Sequence, residues 1–440
     1  MAIGSAEIGN MTLNENDARR RIQVLPRGNE PRIRWAGFDL PGEVAEGNLL
    51  TVGAAGTGKT RMHRELMRSV VESIGPGSDR RLLVYDAKCD LLSELRGMNP
   101  SADVLIFDPL DKRSVAWDVA ADVQTPAEAR DFADSFVPCG NKGEAGFFLG
   151  AARVIVAGVI NSLTRTHPGN WNLRRLILIM ANRRRLERVL SGSNLIDQFF
   201  SPPEIFEIIC STIANVMVRL EPVAALWEHA DRKTGLNQWA TSGGSILVLG
   251  AKGSELRTAL QDVNRAALKT ISRKLLSEPE SPRRSRLWFF GDDFVTAGQF
   301  DCLRAMLDGR SKGIRCALCF QDLEGMTPAY GNAEHAREVS PSCATMSWLK
   351  LTSTETAEWA SRCTGNVVPA AAFLHLPSFE SGNVHGVHLI KGVGGVFEST
   401  AHHDFPKTNP ADDFQPRPDS QFALNPWSDE DDKWLDAGQP

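Results

Sequence analysis

The sequence predicts an α/β protein: a mainly parallel sheet wound with helices and interrupted by an inserted all-α domain. Two patterns predict it. Short apolar runs alternate with helix-period segments over residues 31–124 and again over 239–403. Between about Thr125 and His229 the strand-like runs vanish and helical periodicity takes over. A chain of 440 residues is long enough to bury a large core with a subdomain attached.

Residues 1–30 are polar and expected to be flexible. Arg32 to Asp39 alternates apolar and polar side chains, which suggests one strand leading through Pro41-Gly42 to the apolar run Leu49, Leu50 and Val52. That run enters a glycine-rich turn, Gly53-Ala54-Ala55-Gly56-Thr57-Gly58-Lys59-Thr60, followed by Met62, Leu66, Met67, Val70 and Val71 at helical spacing. After the turn Gly75-Pro76-Gly77, strands are expected at Arg81–Tyr85, ending at Asp86, and at Asp103–Phe107.

In the insertion, Ala127–Phe136, Phe147–Leu163, Leu173–Leu190, Pro203–Cys210 and Ile213–Trp227 each carry an apolar stripe. The sheet resumes at Ser245–Leu249, Leu287–Phe290 and Ile314–Phe320, with a helix from Ser254 to Leu276. Residues 404–440 hold nine acidic and three basic side chains and six prolines, so a disordered tail is expected, with a short docking segment around Trp427 to Leu435. The division expected is thus 1–30, 31–124, 125–238, 239–403 and 404–440.

The formal charge of −5 is uneven: the acidic tail carries −6 and leaves the rest near +1. Bulk charge therefore neither favours nor excludes nucleic acid; a DNA channel would need a local basic surface or an oligomer. The eight scattered cysteines lack the dense spacing of a disulfide scaffold and point to a reducing compartment, with Cys316 and Cys319 as buried strand thiols. The longest apolar candidate, Gly146 to Ile160, is interrupted by Arg153, and the N-terminus lacks a charged region followed by an apolar core. A soluble, cytoplasmic chain is expected.

The chemistry is carried first by Gly53 to Thr60. A phosphate loop of this spacing turns backbone N–H groups around a polyphosphate. Lys59 neutralises the β and γ phosphates, the Thr60 hydroxyl ligates Mg²⁺, and the following helix adds its N-terminal dipole. ATP and Mg²⁺ are the expected ligands. The second half of such a site needs a carboxylate for Mg²⁺ and a base for the attacking water.

Leu287–Phe290 runs into Gly291-Asp292-Asp293, giving Asp292 for the metal and Asp293 as base, against the plainer reading of a helix-capping turn. Gln321 follows the strand Ile314–Phe320, where its amide could contact the γ phosphate or the lytic water. Arg310, in the turn before that strand, could reach a neighbouring subunit's nucleotide. A loop glutamine and a surface arginine are the bland readings. Arg174, Arg175, Arg183, Arg184, Arg185 and Arg188 form a candidate basic face for DNA, against a solvated, salt-bridged helix surface.

From about Arg34 to Gly365 the motif order resembles the conjugative coupling proteins of type IV secretion systems, TraD/TrwB-like ring ATPases related to the FtsK and HerA translocases. The resemblance rests on Trp35-Ala36-Gly37-Phe38-Asp39-Leu40-Pro41 before the phosphate loop, Tyr85-Asp86-Ala87-Lys88, and the segment from Phe107-Asp108-Pro109 to Trp117-Asp118. It continues through Phe147-Phe148 with Ala151-Ala152-Arg153, Asp308 to Ile314, Gln321, Tyr330-Gly331, Thr354 to Ala357, and Gly365.

The resemblance implies a RecA-like P-loop NTPase fold and an ATPase that pumps DNA, usually single-stranded and relaxase-linked, as a homo-hexameric ring toward a secretion channel. It implies Lys59 and Thr60 at the phosphates and Mg²⁺, Asp292 as the Walker B aspartate, Arg310 as a trans-acting finger and Gln321 as the sensor. Asp293 stands where that family has glutamate, and Ala87 and Cys89 stand in place of proline and glycine around Lys88. The family's N-terminal transmembrane pair has no counterpart in this sequence, so recruitment to the inner membrane would come through a partner. Two other readings stay open: a nucleotide-binding assembly platform with weak or no hydrolysis, and a HerA-like chromosomal DNA translocase.

Overall fold

A computed structural model describes residues 11–28, 30–42, 44, 47–86, 90–98, 101–137, 143–199, 203–250, 256–280, 286–292, 307–330, 339–404 and 414–438. It divides into two compact units, one of residues 1–105, 242–250 and 272–414, the other of 106–241, 251–271 and 415–440. The strands are β1 (Thr12–Leu13), β2 (Ile33–Trp35), β3 (Phe38–Leu40), β4 (Asn48–Val52), β5 (Arg81–Asp86), β6 (Asp103–Phe107) and β7 (Ala116–Trp117). They continue as β8 (Lys233–Thr234), β9 (Ser245–Gly250), β10 (Leu287–Asp292), β11 (Ile314–Phe320), β12 (Cys343–Trp348), β13 (Asn383–Leu389) and β14 (Val396–His402).

Ten of them form one sheet in the order β1-β14-β13-β12-β4-β11-β10-β5-β9-β6. From β12 to β9 the pairing is parallel, while β12, β13 and β14 pair antiparallel. β4, β5 and β11 are buried along their whole length, which explains their unbroken apolar runs: a central parallel strand faces packed layers on both sides. The helices of the same unit include α1 (Glu15–Gln23), α2 (Lys59–Val71) and α3 (Leu91–Gly97). Met62, Leu66, Met67 and Val70 of α2 are at most 2 % exposed, and burying each such side chain is worth about 1.5–3 kcal/mol.

The expected strands at Arg81–Tyr85, Asp103–Phe107, Ser245–Leu249, Leu287–Phe290 and Ile314–Phe320 are all present. Other expectations are corrected. Residues 11–28 carry β1 and α1 where a flexible segment is expected: Asn14 caps α1, Ala18 and Ile22 are buried, and β1 pairs with β14. Arg32 to Asp39 is a hairpin, β2 against β3, because Ala36 and Gly37 turn the chain at φ +52 and +76. β12, β13 and β14 had no counterpart in the sequence reading.

The second unit holds α4 (Val119–Asp122), α5 (Pro126–Phe136), α6 (Glu144–Thr166), α7 (Leu173–Met180), α8 (Arg183–Val189), α9 (Asn194–Phe199), α10 (Pro203–Met217) and α11 (Glu221–Glu228). Leu173–Leu190 is two helices, because the Asn182 side chain accepts from Arg185 N and starts a new one. The break expected near Cys210 falls instead at the 3₁₀ turn Val218–Leu220. Gly146–Thr166 and Pro203–Glu228 are long and apolar enough to cross a bilayer, and 44 % of each apolar window is buried within the fold. α6 packs between α5 and α10.

The tail also departs from expectation. Residues 414–438 are ordered: Gln415 and Arg417 bond to the 109–112 segment, and Asp429–Ala437 is a helix with a Ser428/Asp431 capping box.

Candidate functional site

The loop Gly53 to Thr60 leaves the C-terminal end of β4 and enters α2. Asn48 fixes the start of β4 by donating to the carbonyls of Leu307 and Ser342 and accepting from Cys316 N. At the far end, Gly53 N donates to Phe320 O at 3.1 Å and Ala54 N to Lys350 O at 2.8 Å, tying the loop to β11 and to the residues after β12. The buried Thr57 hydroxyl donates to Ala54 O at 2.8 Å and closes the turn. Lys59 Nζ donates to the carbonyls of Gly53 (2.6 Å) and Ala54 (2.8 Å), so the ammonium lies over the loop itself.

Whether these residues fit a bound nucleotide can be tested on the loop. Ala55 and Gly56 are exposed at its mouth, and Gly56 adopts φ +73 with open space where a Cβ would be. Gly58 is the N-cap of α2 at φ +98, with no side-chain cap and no acidic residue in the first turn. The first N–H groups of a thirteen-residue helix are thereby left to an anion. The loop fits a polyphosphate.

The sheet register brings the predicted second half to the same edge. β11 lies between β4 and β10, so β10 is two strand spacings, about 10 Å, from β4. Phe320 pairs with Val52 and Cys319 with Thr51, while Gly291 pairs with Leu318. Asp292, the last residue of β10, is therefore level with Thr51, and the exposed Gln321 emerges beside Gly53. Thr60 sits in the first turn of α2. A hydroxyl and a carboxylate are hard oxygen donors of the kind Mg²⁺ takes, which suits Thr60 and Asp292 to that ion. Asp293, like Lys88 and Gly331, lies outside the described residues.

The structure does not bring Arg310 to this edge. It lies exposed in the 3₁₀ turn Gly309–Lys312, before the first residue of β11. The seven residues of β11 separate that turn from Gln321, about 23 Å along the strand.

One acid was not singled out as a site residue. Asp86 ends β5 in register with Asp292, is 5 % exposed, and accepts from Leu91 N at 3.0 Å at the start of α3. Burial pushes its carboxyl up to about 6, with Asp90 adding and Arg64 opposing. The available signal was its place at the end of an apolar strand. Among the described residues no cluster of three or more metal-ligating side chains occurs, and Cys316 and Cys319 are buried in β11.

Residues 32–367 match the family model described as the type IV secretion-system coupling protein DNA-binding domain. Coupling protein TraD of Escherichia coli (strain K12) is 23 % identical over 333 residues, 73 % of this chain and 44 % of that protein, so the chain spans less than half of that relative's length. The plasmid coupling protein TrwB in complex with ADP and Mg²⁺ has a similar fold, with TM-score 0.73 at 21 % identity over 93 % of this chain and 97 % of that one. TrwB with a non-hydrolysable ATP analogue gives TM-score 0.71 at 20 % identity, covering 95 % and 97 %.

Proposed function

The chain belongs to the type IV secretion-system coupling protein family, and from that premise we propose that it is an ATP-driven motor that binds DNA and delivers it to a conjugative transfer channel. The observation that carries the reading is the shared sheet edge of Gly53–Thr60, Asp292 and Gln321. Backbone N–H groups at the start of α2 and the Lys59 ammonium hold the phosphates of ATP, and Lys59 leaves the Gly53 and Ala54 carbonyls to do so. Thr60 and Asp292 would hold Mg²⁺, which would supply charge neutralisation at the phosphate oxygens. Asp293 accepts the proton of the attacking water, and Gln321 orients it. Arg310 serves the site of a neighbouring copy in a homo-hexameric ring.

TrwB is known in complex with ADP and Mg²⁺ and with a non-hydrolysable ATP analogue, which supports the same ligands here. Single-stranded DNA, a relaxase and the channel proteins are the proposed partners, with the chain working at the cytoplasmic face of the inner membrane.

ATP hydrolysis with and without single-stranded DNA tests this. DNA should stimulate turnover, and Lys59→Ala should abolish it, a loss of about a hundredfold or more. Activity unaffected by Lys59→Ala would sink the motor reading. One observation favours a second reading, a platform that binds ATP but hydrolyses it poorly: Asp293 is one methylene shorter than the family's glutamate. ATP binding with no turnover in assembled, DNA-bound protein would select it.

A further inference from the structure

The arginines of α7 and α8 are covered by the chain's own acidic C-terminal segment. Arg174 grips Asp431 with both terminal nitrogens, at 3.1 and 2.9 Å, and its Nε donates to Asn425 O at 3.0 Å. Arg175 Nε donates to the same carboxylate at 3.1 Å, and its guanidinium lies 4.2 Å over the Trp434 ring. Arg185 stacks at 4.2 Å on Trp427, and Arg188 pairs with Asp432 and Asp436. Arg183 instead pairs with Glu187 and Glu207. The face is salt-bridged, as the plainer reading of the sequence has it, but for four of the arginines the cover comes from the tail.

Carboxylates and indoles alternating against guanidiniums reproduce what a single-stranded nucleic acid offers: anionic oxygens for bidentate arginine and flat rings for stacking. Arg174 and Arg175 also line a cleft of about 380 Å³ with Trp171 and Trp227.

The cover is built to be displaced. A nine-residue helix is too short to persist in water alone, so it depends on its docking contacts. Those contacts are of unequal strength: Asp431 is 3 % exposed, whereas the Asp432 and Asp436 side chains are 53 % and 62 % exposed and their pairs are screened by salt.

We propose that the guanidinium face formed by Arg174, Arg175, Arg185 and Arg188 is a binding site for single-stranded nucleic acid, and that the acidic segment 427–436 is its built-in competitor. The segment holds the site until a polyanion takes its place. This rests on the DNA-handling reading above.

The test is anisotropy of a fluorescent oligo-dT strand with the full chain, comparing wild type, Asp431→Asn, the double variant Asp432→Asn/Asp436→Asn, and a control with the same charge change, Asp429→Asn/Glu430→Gln. The double variant alters exposed carboxylates and should fold normally. Both arginine-facing variants should bind about fivefold more tightly, beyond any gain in the control. Adding Arg175→Ala/Arg188→Ala should erase that gain, and a peptide of residues 425–438 should compete with the oligonucleotide.

Equal affinity for all variants, a gain matched by the control, or a gain that survives loss of the arginines would overturn the proposal. Displacement of the tail by an acidic peptide but not by the oligonucleotide would overturn it in favour of a protein partner. If no variant, wild type included, binds DNA, the motor reading fails as well; if all bind alike and DNA still stimulates ATPase, the competitor assignment fails alone.

Discussion

Gly58 answers two demands, and Gly56 one. Both have left-handed backbone, at φ +98 and +73, but a Cβ on Gly58 would lie 2.6 Å from Val384 Cγ2, whereas none would be met at Gly56. Gly56→Ala should cost about 1–2 kcal/mol for the backbone alone. Gly58→Ala adds a clash with a stiff β-branched side chain, for about 2–4 kcal/mol in total, and shifts the N-terminus of α2 away from the phosphates. Thermal unfolding and titration with a fluorescent ATP analogue should show Gly58→Ala losing both stability and nucleotide affinity by the larger margin; equal losses would remove the steric role. The loop was legible in the sequence because phosphate binding dictates residue types at fixed spacing. Asp86 was not, because its raised pKa comes from burial between strands, which no local pattern encodes. Nor was the pairing of Arg174 with Asp431, 257 residues apart.

The elements differ in the same way. β4, β5 and β11 could be read as strands because their uninterrupted apolar runs reflect burial on both faces. β13 carries Asn383, His385, Gly386 and His388, and its polar residues are satisfied only by neighbouring elements. Trp35 Nε1 of β2 donates to Ser347 Oγ of β12 at 3.0 Å, and that hydroxyl pairs with His388 Nδ1 of β13 at 2.7 Å. Burial pushes the His388 imidazole down to about 3, and the nearby His403 adds to it. The unfolded chain takes up this proton near pH 6.5 and the folded chain near 3. The contribution of His388 is therefore whole above 6.5 and is lost as pH falls through that window, up to roughly 5 kcal/mol. Urea unfolding across pH 7.5 to 4 should show a shallower decline for His388→Asn than for wild type, with lower stability at pH 7.5 from the lost Ser347 pairing. Parallel curves would place the acid sensitivity elsewhere.

At the scale of the whole molecule, the role proposed for Arg310 requires assembly. Gln321 and the phosphate loop share one edge of the sheet, while Arg310 precedes β11 at the opposite edge, about 23 Å away along the strand. An arginine side chain reaches roughly 7 Å, so Arg310 cannot touch a nucleotide held by its own chain without taking the sheet apart. If it stabilises the transferring phosphoryl group, it does so for a neighbour, and each site in a ring is made of one copy's Lys59 and the next copy's Arg310. Lys59→Ala and Arg310→Ala proteins should then each be inactive as pure assemblies. Mixed one to one, they should regain about one quarter of wild-type ATPase activity, the share of interfaces that pair an intact loop with an intact finger. A mixture as inactive as its parents, with exchange of subunits shown by fluorescence transfer between labelled copies, would mean that Arg310 serves no neighbouring site and only holds the turn before β11. Full activity of Arg310→Ala alone would remove it from catalysis. Recovery in the mixture has no explanation in a monomer, because neither variant chain contains a complete site.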